Sequence, residues 1–195
     1  ARSHANWRDG GWPRRHRITV DEYYRMAEIG VVAPHTRVEL IEGEIIDVAP
    51  IGSRHASVVD ELTYVLVHAV GRQAIVRVQS AVRLSRITEP EPDLAVLAAR
   101  TDYYRHAHPS GEETLLVIEV ADSSLAYDKD VKVPLYARHG VREVWIVDLQ
   151  NERVLVYHSP ANGKYGHEQI VTPPGVLVAA HAPNVSVDLA RLLAP

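Results

Sequence analysis

The sequence contains no cysteine. Without thiols the protein cannot form disulfides, thiolate zinc sites, iron–sulfur clusters or a cysteine nucleophile, so oxygen or imidazole must bind any metal ion. No stretch approaches the roughly 18 uninterrupted apolar residues of a membrane-spanning helix, and the N-terminal residues lack the apolar segment of a signal peptide. We therefore expect a soluble, cytoplasmic protein with no membrane partner.

Excess charge of one sign is also missing. The 21 Lys and Arg residues nearly balance the 25 Asp and Glu residues, which leaves a net charge of −4. Coating nucleic acid non-specifically requires a dense basic face, so the composition argues against that role, although a nucleic-acid substrate stays open if the basic residues are local. The chain has only three lysines, Lys129, Lys132 and Lys164. Because arginine supplies the other basic residues, the close pair Lys129 and Lys132 suggests that a compact ammonium group matters there.

The apolar content is sufficient for one core. Hydrophobic residues make up 46% and charged residues 24% of the 195 residues, and these ordinary values exclude a disordered or collagen-like chain. The length fits a single domain. Residues 1–17 are rich in arginine and contain Gly10, Gly11 and Pro13. We predict a flexible arm over 1–17 and one domain over 18–195.

Local signals predict a helix and a hairpin near the start of this domain. Thr19 and Glu22 form a capping box for a helix over 20–29 that Gly30 would end. The segment RVELI–EG–EIIDVA then predicts two short strands around the turn at Glu42 and Gly43.

Further elements follow from hydrophobic periodicity. Apolar residues at three- and four-residue spacings predict an amphipathic helix with Ser53 as N-cap and a stop at Gly71. Strand-like runs occupy 74–79, 81–85, 94–98, 115–121, 143–149 and 153–159, with short strands in VLVAA and NVSVDLA and a last helical turn near the C-terminus. The runs 115–121 and 143–149 are nearly all apolar, which indicates strands buried on both faces. The helix between them predicts a right-handed βαβ unit, and Pro134 places the start of that helix near 130–133.

Two acidic residues stand where the sheet should be buried. Glu119 lies inside the apolar run 115–121, and Asp93 directly precedes the run 94–98. A buried carboxylate costs several kcal/mol unless it is paired, hydrogen-bonded or bound to a metal. If the two strands are neighbours, both carboxylates meet at one end, and a divalent cation would relieve their repulsion. The alternative is structural: Glu119 pairs with an arginine and Asp93 caps a turn.

Several motifs together resemble a known family. They are RVELIEGEIIDVAP, RHASVVDEL, EPEPDLAVL and LLVIEVADSSLAYDKDVKVPLYARHGVREVWIVDL, and they cover most of the chain up to about residue 158. The pattern resembles the Uma-type family of restriction-endonuclease-like proteins, a branch of the PD-(D/E)XK nuclease superfamily. The resemblance implies an α/β fold, with a mixed sheet core flanked by helices and an N-terminal helix and hairpin.

The resemblance also implies site residues. Pro92 and Asp93 match the PD element, and Glu119 matches the acid of the E-x-K element. The residue two positions beyond Glu119 is Ala121 instead of lysine. The similar family supplies its lysine from the following helix, which here implies Lys132, with Lys129 as the fallback. Glu39, His55 and Gln79 are secondary candidates at polar positions, although each is equally compatible with a purely structural role.

The implied activity is metal-assisted hydrolysis of phosphodiester bonds in DNA. Mg²⁺, or Mn²⁺, would be held by Asp93, Glu119 and the backbone carbonyl of Val120, which are hard oxygen ligands. Lys132 would orient or deprotonate the attacking water and offset charge in the transition state. Asp93, Glu119 and Lys132 are therefore the predicted catalytic residues.

Other functions have weaker support. His106 and His108 have a metal-like spacing but no third ligand at a diagnostic distance, and neither a G-x-S-x-G elbow nor a glycine-rich phosphate loop is present. The competing hypothesis is a nuclease fold with a silent site that serves as a binding or assembly module. A homodimer built on an exposed sheet edge is the expected assembly.

Overall fold

The computed structural model describes residues 15–33 and 36–194. Most of the predicted arm, residues 1–14, lies outside the described residues. The helical elements are α1 (Val20–Glu28), α2 (Ser53–Val70), α3 (Leu125–Tyr127), a π-helical segment (Asp128–Lys132), α4 (Val133–Arg138) and α5 (Leu189–Leu192). The strands are β1 (Val38–Ile41), β2 (Glu44–Asp47), β3 (Ala74–Val78), β4 (Leu94–Ala98), β5 (Thr114–Ala121), β6 (Glu143–Asp148), β7 (Arg153–Ala161), β8 (Lys164–Val171), β9 (Val176–Val178) and β10 (Ser186–Asp188).

A six-stranded mixed sheet organises the chain, in the order β3-β4-β5-β6-β7-β8. Only β5 and β6 pair in parallel, and the other neighbours in this sheet are antiparallel. The helical stretch over 125–138 links the two parallel strands, as a βαβ unit requires. This architecture confirms the predicted α/β fold with a mixed sheet.

The central strand β5 is buried on both faces. Leu116, Ile118 and Val120 pack in the cluster that contains α2, whereas Val117 and Ala121 pack with residues of α4 on the opposite face. Each fully buried Val, Leu or Ile side chain among these stabilises the fold by about 1.5–3 kcal/mol. Because side chains alternate along a strand, Glu119 shares the α4 face with Val117 and Ala121.

The N-terminal helix and hairpin form as predicted. The capping box at α1 is complete, since the Glu22 amide donates to the Thr19 hydroxyl and the Thr19 amide donates to the Glu22 carboxylate. The hairpin turns at Glu42 and Gly43, which both have positive φ angles of 49° and 80°. The amide of Glu89 donates to the carbonyl of Leu40, and this bond ties the hairpin to the segment that leads into β4.

Two predicted elements are corrected. Gly52, not Ser53, is the N-cap of α2, and it provides no side-chain cap. The run 81–85 is not a strand, because its amides bond to loop carbonyls: Val82 donates to Pro90 and Arg83 donates to Pro109.

The helix after β5 begins earlier than predicted, at Leu125. The reason is the π-helical segment, in which the Val133 amide donates to the Asp128 carbonyl five residues back. This wide turn stands directly before Pro134, whose missing N–H and bulky ring would disrupt a regular α-helix. The proline therefore lies inside a helical stretch instead of at its start.

Strand β8 was missed by the sequence analysis. It pairs antiparallel with β7 and is mostly exposed, so its polar sequence carries no alternating apolar pattern. A signal was available in Asn162-Gly163, where both residues have positive φ and form a two-residue hairpin loop. Over the described residues, no helix combines the length and apolar character needed to cross a membrane.

Candidate active site

Neighbouring strands bring the two predicted acids to the same place. The antiparallel register pairs Leu94 with Ile118, so Asp93 and Glu119 stand opposite each other at the end of the β4–β5 pair. Both Leu94 and Ile118 pack on the α2 face. Asp93 and Glu119 therefore share the opposite face. They also meet at one end of the strand pair, as predicted for neighbouring strands.

Asp93 is held by three donors. Its Oδ2 accepts the Val120 amide at 2.9 Å, while Oδ1 lies 2.9 Å from Nε2 of His55 and 3.5 Å from Nε2 of Gln79. Burial acts to raise the pKa of Asp93, but the hydrogen bonds from His55 and Val120 outweigh it, so the pKa is lowered. The carboxylate is therefore ionised and fixed in orientation, and it does not cap a turn.

Glu119 is paired with lysine, not with arginine. Its Oε1 accepts Lys132 Nζ at 3.1 Å and the Tyr136 hydroxyl at 2.6 Å. Both hydrogen bonds that the described residues make to this carboxylate fall on Oε1, so Oε2 has no protein donor among them. Burial raises the pKa of Glu119, and the Lys132 ammonium opposes that rise.

The π-helical segment supplies the lysine. Lys132 is its last residue, and only 5% of its surface is exposed. Nζ donates to Oε1 of Glu39 at 2.9 Å as well as to Glu119. Burial acts to lower the pKa of Lys132, but the charges of Glu119 and Glu39 outweigh it and raise the pKa. Lys129, three residues earlier, is exposed and does not line the site.

The three secondary candidates differ in how they contact the site. Glu39 reaches it from β1: its Oε1 accepts Lys132 and the amide of Glu91, and its Oε2 is buried without a partner in the described residues. His55 projects from the first turn of α2 onto Asp93. Gln79 touches Asp93 from outside, because it is exposed and does not line the cavity.

A cavity of about 290 Å³ lies at this site, and its lining includes Glu39, His55, Asp93, Glu119 and Lys132. Its wall includes seven acidic residues, Glu39, Asp47, Glu91, Asp93, Glu119, Asp122 and Asp128. Positive charge comes from Arg37 and Lys132, and His55 adds an imidazole. A wall of this composition repels a phosphate group and attracts cations.

Sequence reasoning missed several residues of this site. Tyr136 lies four residues after Lys132 and Asp128 four residues before it, so helical spacing could have indicated both. Asp128 accepts the Ser124 hydroxyl at 2.6 Å, and burial raises its pKa. The hydroxyl of Tyr127 is buried and has no hydrogen-bond partner among the described residues. No sequence signal distinguished this tyrosine.

The donor set fits a hard divalent cation. Asp93 and Glu119 offer carboxylate oxygens, and Val120 lines the same cavity and has a backbone carbonyl. Among residues 15–33 and 36–194, no group of three or more His, Asp or Glu side chains is placed so that it could hold a metal ion by itself. Mg²⁺ usually keeps several waters and takes one or two protein carboxylates, so two acids suffice for it. His108 of the H-x-H motif is instead hydrogen-bonded to Arg77 and Tyr24.

A mixed sheet with two acids and a lysine at one end is the arrangement that the resemblance to restriction-endonuclease-like proteins implied. The family model described as "Uma2: Putative restriction endonuclease" matches residues 20–190, so the chain belongs to the Uma2 family. A solved structure from Anabaena variabilis, described as "a putative nuclease belonging to DUF820", is similar in fold, with a TM-score of 0.70. The two share 19% sequence identity over 90% of this chain and 97% of that chain. No curated protein matches the chain.

Proposed function

We propose that this chain is a metal-dependent nuclease that hydrolyses phosphodiester bonds in DNA with Mg²⁺ or Mn²⁺. The observation that carries the proposal is the convergence of Asp93, Glu119 and Lys132 on one cavity, although 26 or more residues separate Asp93 from the other two. Membership of a family of restriction-endonuclease-like proteins supports it.

The acidic wall of the cavity supports the need for a cation. With seven acidic residues in the lining, a phosphodiester would enter against strong repulsion. Asp93, Glu119 and the carbonyl of Val120 would hold the ion. When bound, it would neutralise this charge, polarise the phosphate and acidify a water molecule.

The protein groups have separate tasks in this proposal. His55 and the Val120 amide fix the orientation of Asp93. Lys132 offsets negative charge that develops on the phosphate and orients the attacking water. Its raised pKa keeps it protonated, which favours this role over the deprotonation of water. Hydrolysis joins the water oxygen to phosphorus and breaks the bond from phosphorus to one sugar oxygen. The water loses one proton to solvent, and the departing oxygen gains one.

Cleavage of plasmid and single-stranded DNA tests the proposal. The wild type is expected to cleave with Mg²⁺ or Mn²⁺ and to stop when EDTA is added, while Asp93→Ala and Lys132→Ala lose activity. Thermal unfolding gives an independent measurement, since an ion that binds only the folded state raises Tm. This rise should disappear in Asp93→Ala. A wild type that neither cleaves nor gains stability with either ion would contradict the proposal.

One observation favours a second candidate, a silent nuclease fold that acts as a binding or assembly module. The Lys132 ammonium already pairs with both Glu39 and Glu119, so these two carboxylates have a charged partner without an ion. DNA binding without cleavage, together with no metal-dependent rise in Tm, would support this candidate.

The expected homodimer stays a prediction. The edges of the large sheet are β3 and β8, and β8 is exposed along most of its length, which makes it available for pairing with a second copy. Sedimentation equilibrium distinguishes the dimer from the monomer. The cytoplasmic location also stays a prediction.

A further inference from the structure

Two buried polar atoms of the cavity lack partners in the described part of the chain. They are Oε2 of Glu39 and the hydroxyl of Tyr127. Buried polar atoms without a hydrogen bond are uncommon because each costs about 1–3 kcal/mol. Both residues line the same cavity as Asp93, Glu119 and Lys132. A small molecule held in this cavity is therefore the natural source of the missing partners.

The chemistry of the two atoms restricts what that molecule is. Burial, followed by the charge of Glu39, raises the pKa of Tyr127 to about 12, so its hydroxyl is a neutral donor. Glu39 Oε2 is an acceptor, and the other oxygen of this carboxylate, Oε1, already accepts the Lys132 ammonium. A phosphate oxygen would satisfy Tyr127 but repel Glu39, and a cation would satisfy Glu39 but not the tyrosine donor. Water both accepts and donates, so it satisfies the two together.

We propose that Tyr127 and Glu39 form the seat of the attacking water, with the Tyr127 hydroxyl donating to the water oxygen and Glu39 Oε2 accepting one of its hydrogens. This inference rests on the proposed function and adds Tyr127 to it as a residue that touches a reacting atom. A water held from two sides presents a lone pair in a fixed direction, which lowers the entropic cost of attack on phosphorus.

Tyr127→Phe removes only the hydroxyl and is the direct kinetic test. The loss of one hydrogen bond to the attacking water should lower kcat about tenfold while KM changes by less than about twofold. Tyr165→Phe is the matched control, because its hydroxyl donates to the Val141 carbonyl away from the cavity, and kcat should not change. An unchanged kcat in Tyr127→Phe, or a fall explained by KM, would overturn the assignment.

A crystal structure of the wild type and of Tyr127→Phe tests the seat without relying on activity. An ordered water within hydrogen-bond distance of both Tyr127 Oη and Glu39 Oε2 is expected in the wild type, and it should be lost or displaced in the variant. If the wild type shows this water but cleaves no DNA, the water site stands, but the nuclease proposal fails and with it the role of this water in attack. If no water bridges the two atoms in the wild type, the seat is wrong whatever the activity.

Discussion

Asp93 and Glu119 face each other across two paired strands, yet their surroundings shift their pKa values in opposite directions. Asp93 receives a backbone amide and an imidazole, and these donors stabilise the charged form more than burial penalises it. At Glu119 burial is the larger effect, although Lys132 lies within hydrogen-bond distance. Proximity to a cation therefore does not decide the pKa of a carboxylate when the cation is shared and both groups are desolvated.

The difference lies in what surrounds each carboxylate. Asp93 stays ionised and is oriented by His55 and Val120, which suits the metal-ligand role proposed for it. Glu119 belongs to a buried network with Lys132, Glu39 and Tyr136, in which each charge depends on the others. Hydrogen bonds from His55 and Val120 therefore hold Asp93. Ion pairs with one shared ammonium, that of Lys132, hold Glu119 and Glu39.

Removal of the balancing charge should have the largest effect. Lys132→Met leaves Glu39 and Glu119 buried without their shared ammonium, and we expect a loss of about 3–5 kcal/mol in the free energy of unfolding. Urea denaturation at pH 7 measures it. The double variant Lys132→Met/Glu119→Gln should recover part of the loss. If Lys132→Met loses less than about 1 kcal/mol in the free energy of unfolding, Glu39 and Glu119 do not depend on Lys132 in this way.

The prediction for the surroundings of Asp93 concerns metal affinity and activity. His55→Ala removes the imidazole that orients Asp93, and loss of such an outer partner typically lowers metal affinity or activity about 10–100-fold. Mg²⁺ titration of the cleavage rate measures the change. His68→Ala on the same helix is the control, since its exposed ring interacts with the Tyr64 carbonyl and ring within α2 and does not line the cavity. Equal effects of the two variants would show that Asp93 does not depend on His55.

The opposite pKa shifts predict opposite effects of pH on stability. The lowered pKa of Asp93 stabilises the fold above its ordinary value of 3.8, and this contribution is lost as pH falls through the folded pKa. The raised pKa of Glu119 has the reverse effect: the fold loses stability as pH rises above 4.5, towards the folded pKa.

Neutral variants separate the two contributions. Asp93→Asn should reduce the rise in stability between acid and pH 5, and Glu119→Gln should reduce the decline above pH 4.5, because neither replacement titrates in this range. Chemical denaturation from pH 3 to pH 9 measures both curves. If both variants change the stability over the same pH range, the opposite pKa shifts assigned to Asp93 and Glu119 are wrong.

The smallest effect is expected at the other lysine of the helix. Lys129 is exposed and outside the cavity, so Lys129→Ala should change stability by less than about 0.5 kcal/mol and leave the cleavage rate within about twofold. Comparison with Lys132→Ala in the same assay identifies which lysine acts. A large loss of activity in Lys129→Ala would overturn the assignment to Lys132.

Much of the fold follows from local sequence. The capping box of Thr19 and Glu22, the turn at Glu42 and Gly43 and the apolar run of β5 each depend on residues close together in the chain, and each prediction is confirmed. The early start of the helix at Leu125 was not predictable from Pro134, because proline normally marks a first turn and here a π-helical segment accommodates it. Strand β8 was missed because an exposed edge strand needs no apolar face.

The sequence also indicated which acids and which lysine to examine, since a glutamate inside an apolar strand is costly without a partner. It could not show that Lys132 is shared with Glu39, 93 residues away. Nor could it show that Glu39 and Tyr127, which line the same cavity, each have a buried atom without a partner among the described residues.

The sequence by itself determined most of the helices and strands and the chemical identity of the candidate groups. Secondary structure and alternation depend on neighbours along the chain, which the sequence contains. Only the tertiary structure decided which charges compensate one another and in which direction each pKa moves. The energy of a buried charge depends on distances in space to groups that are remote in the chain, and those distances exist only after folding.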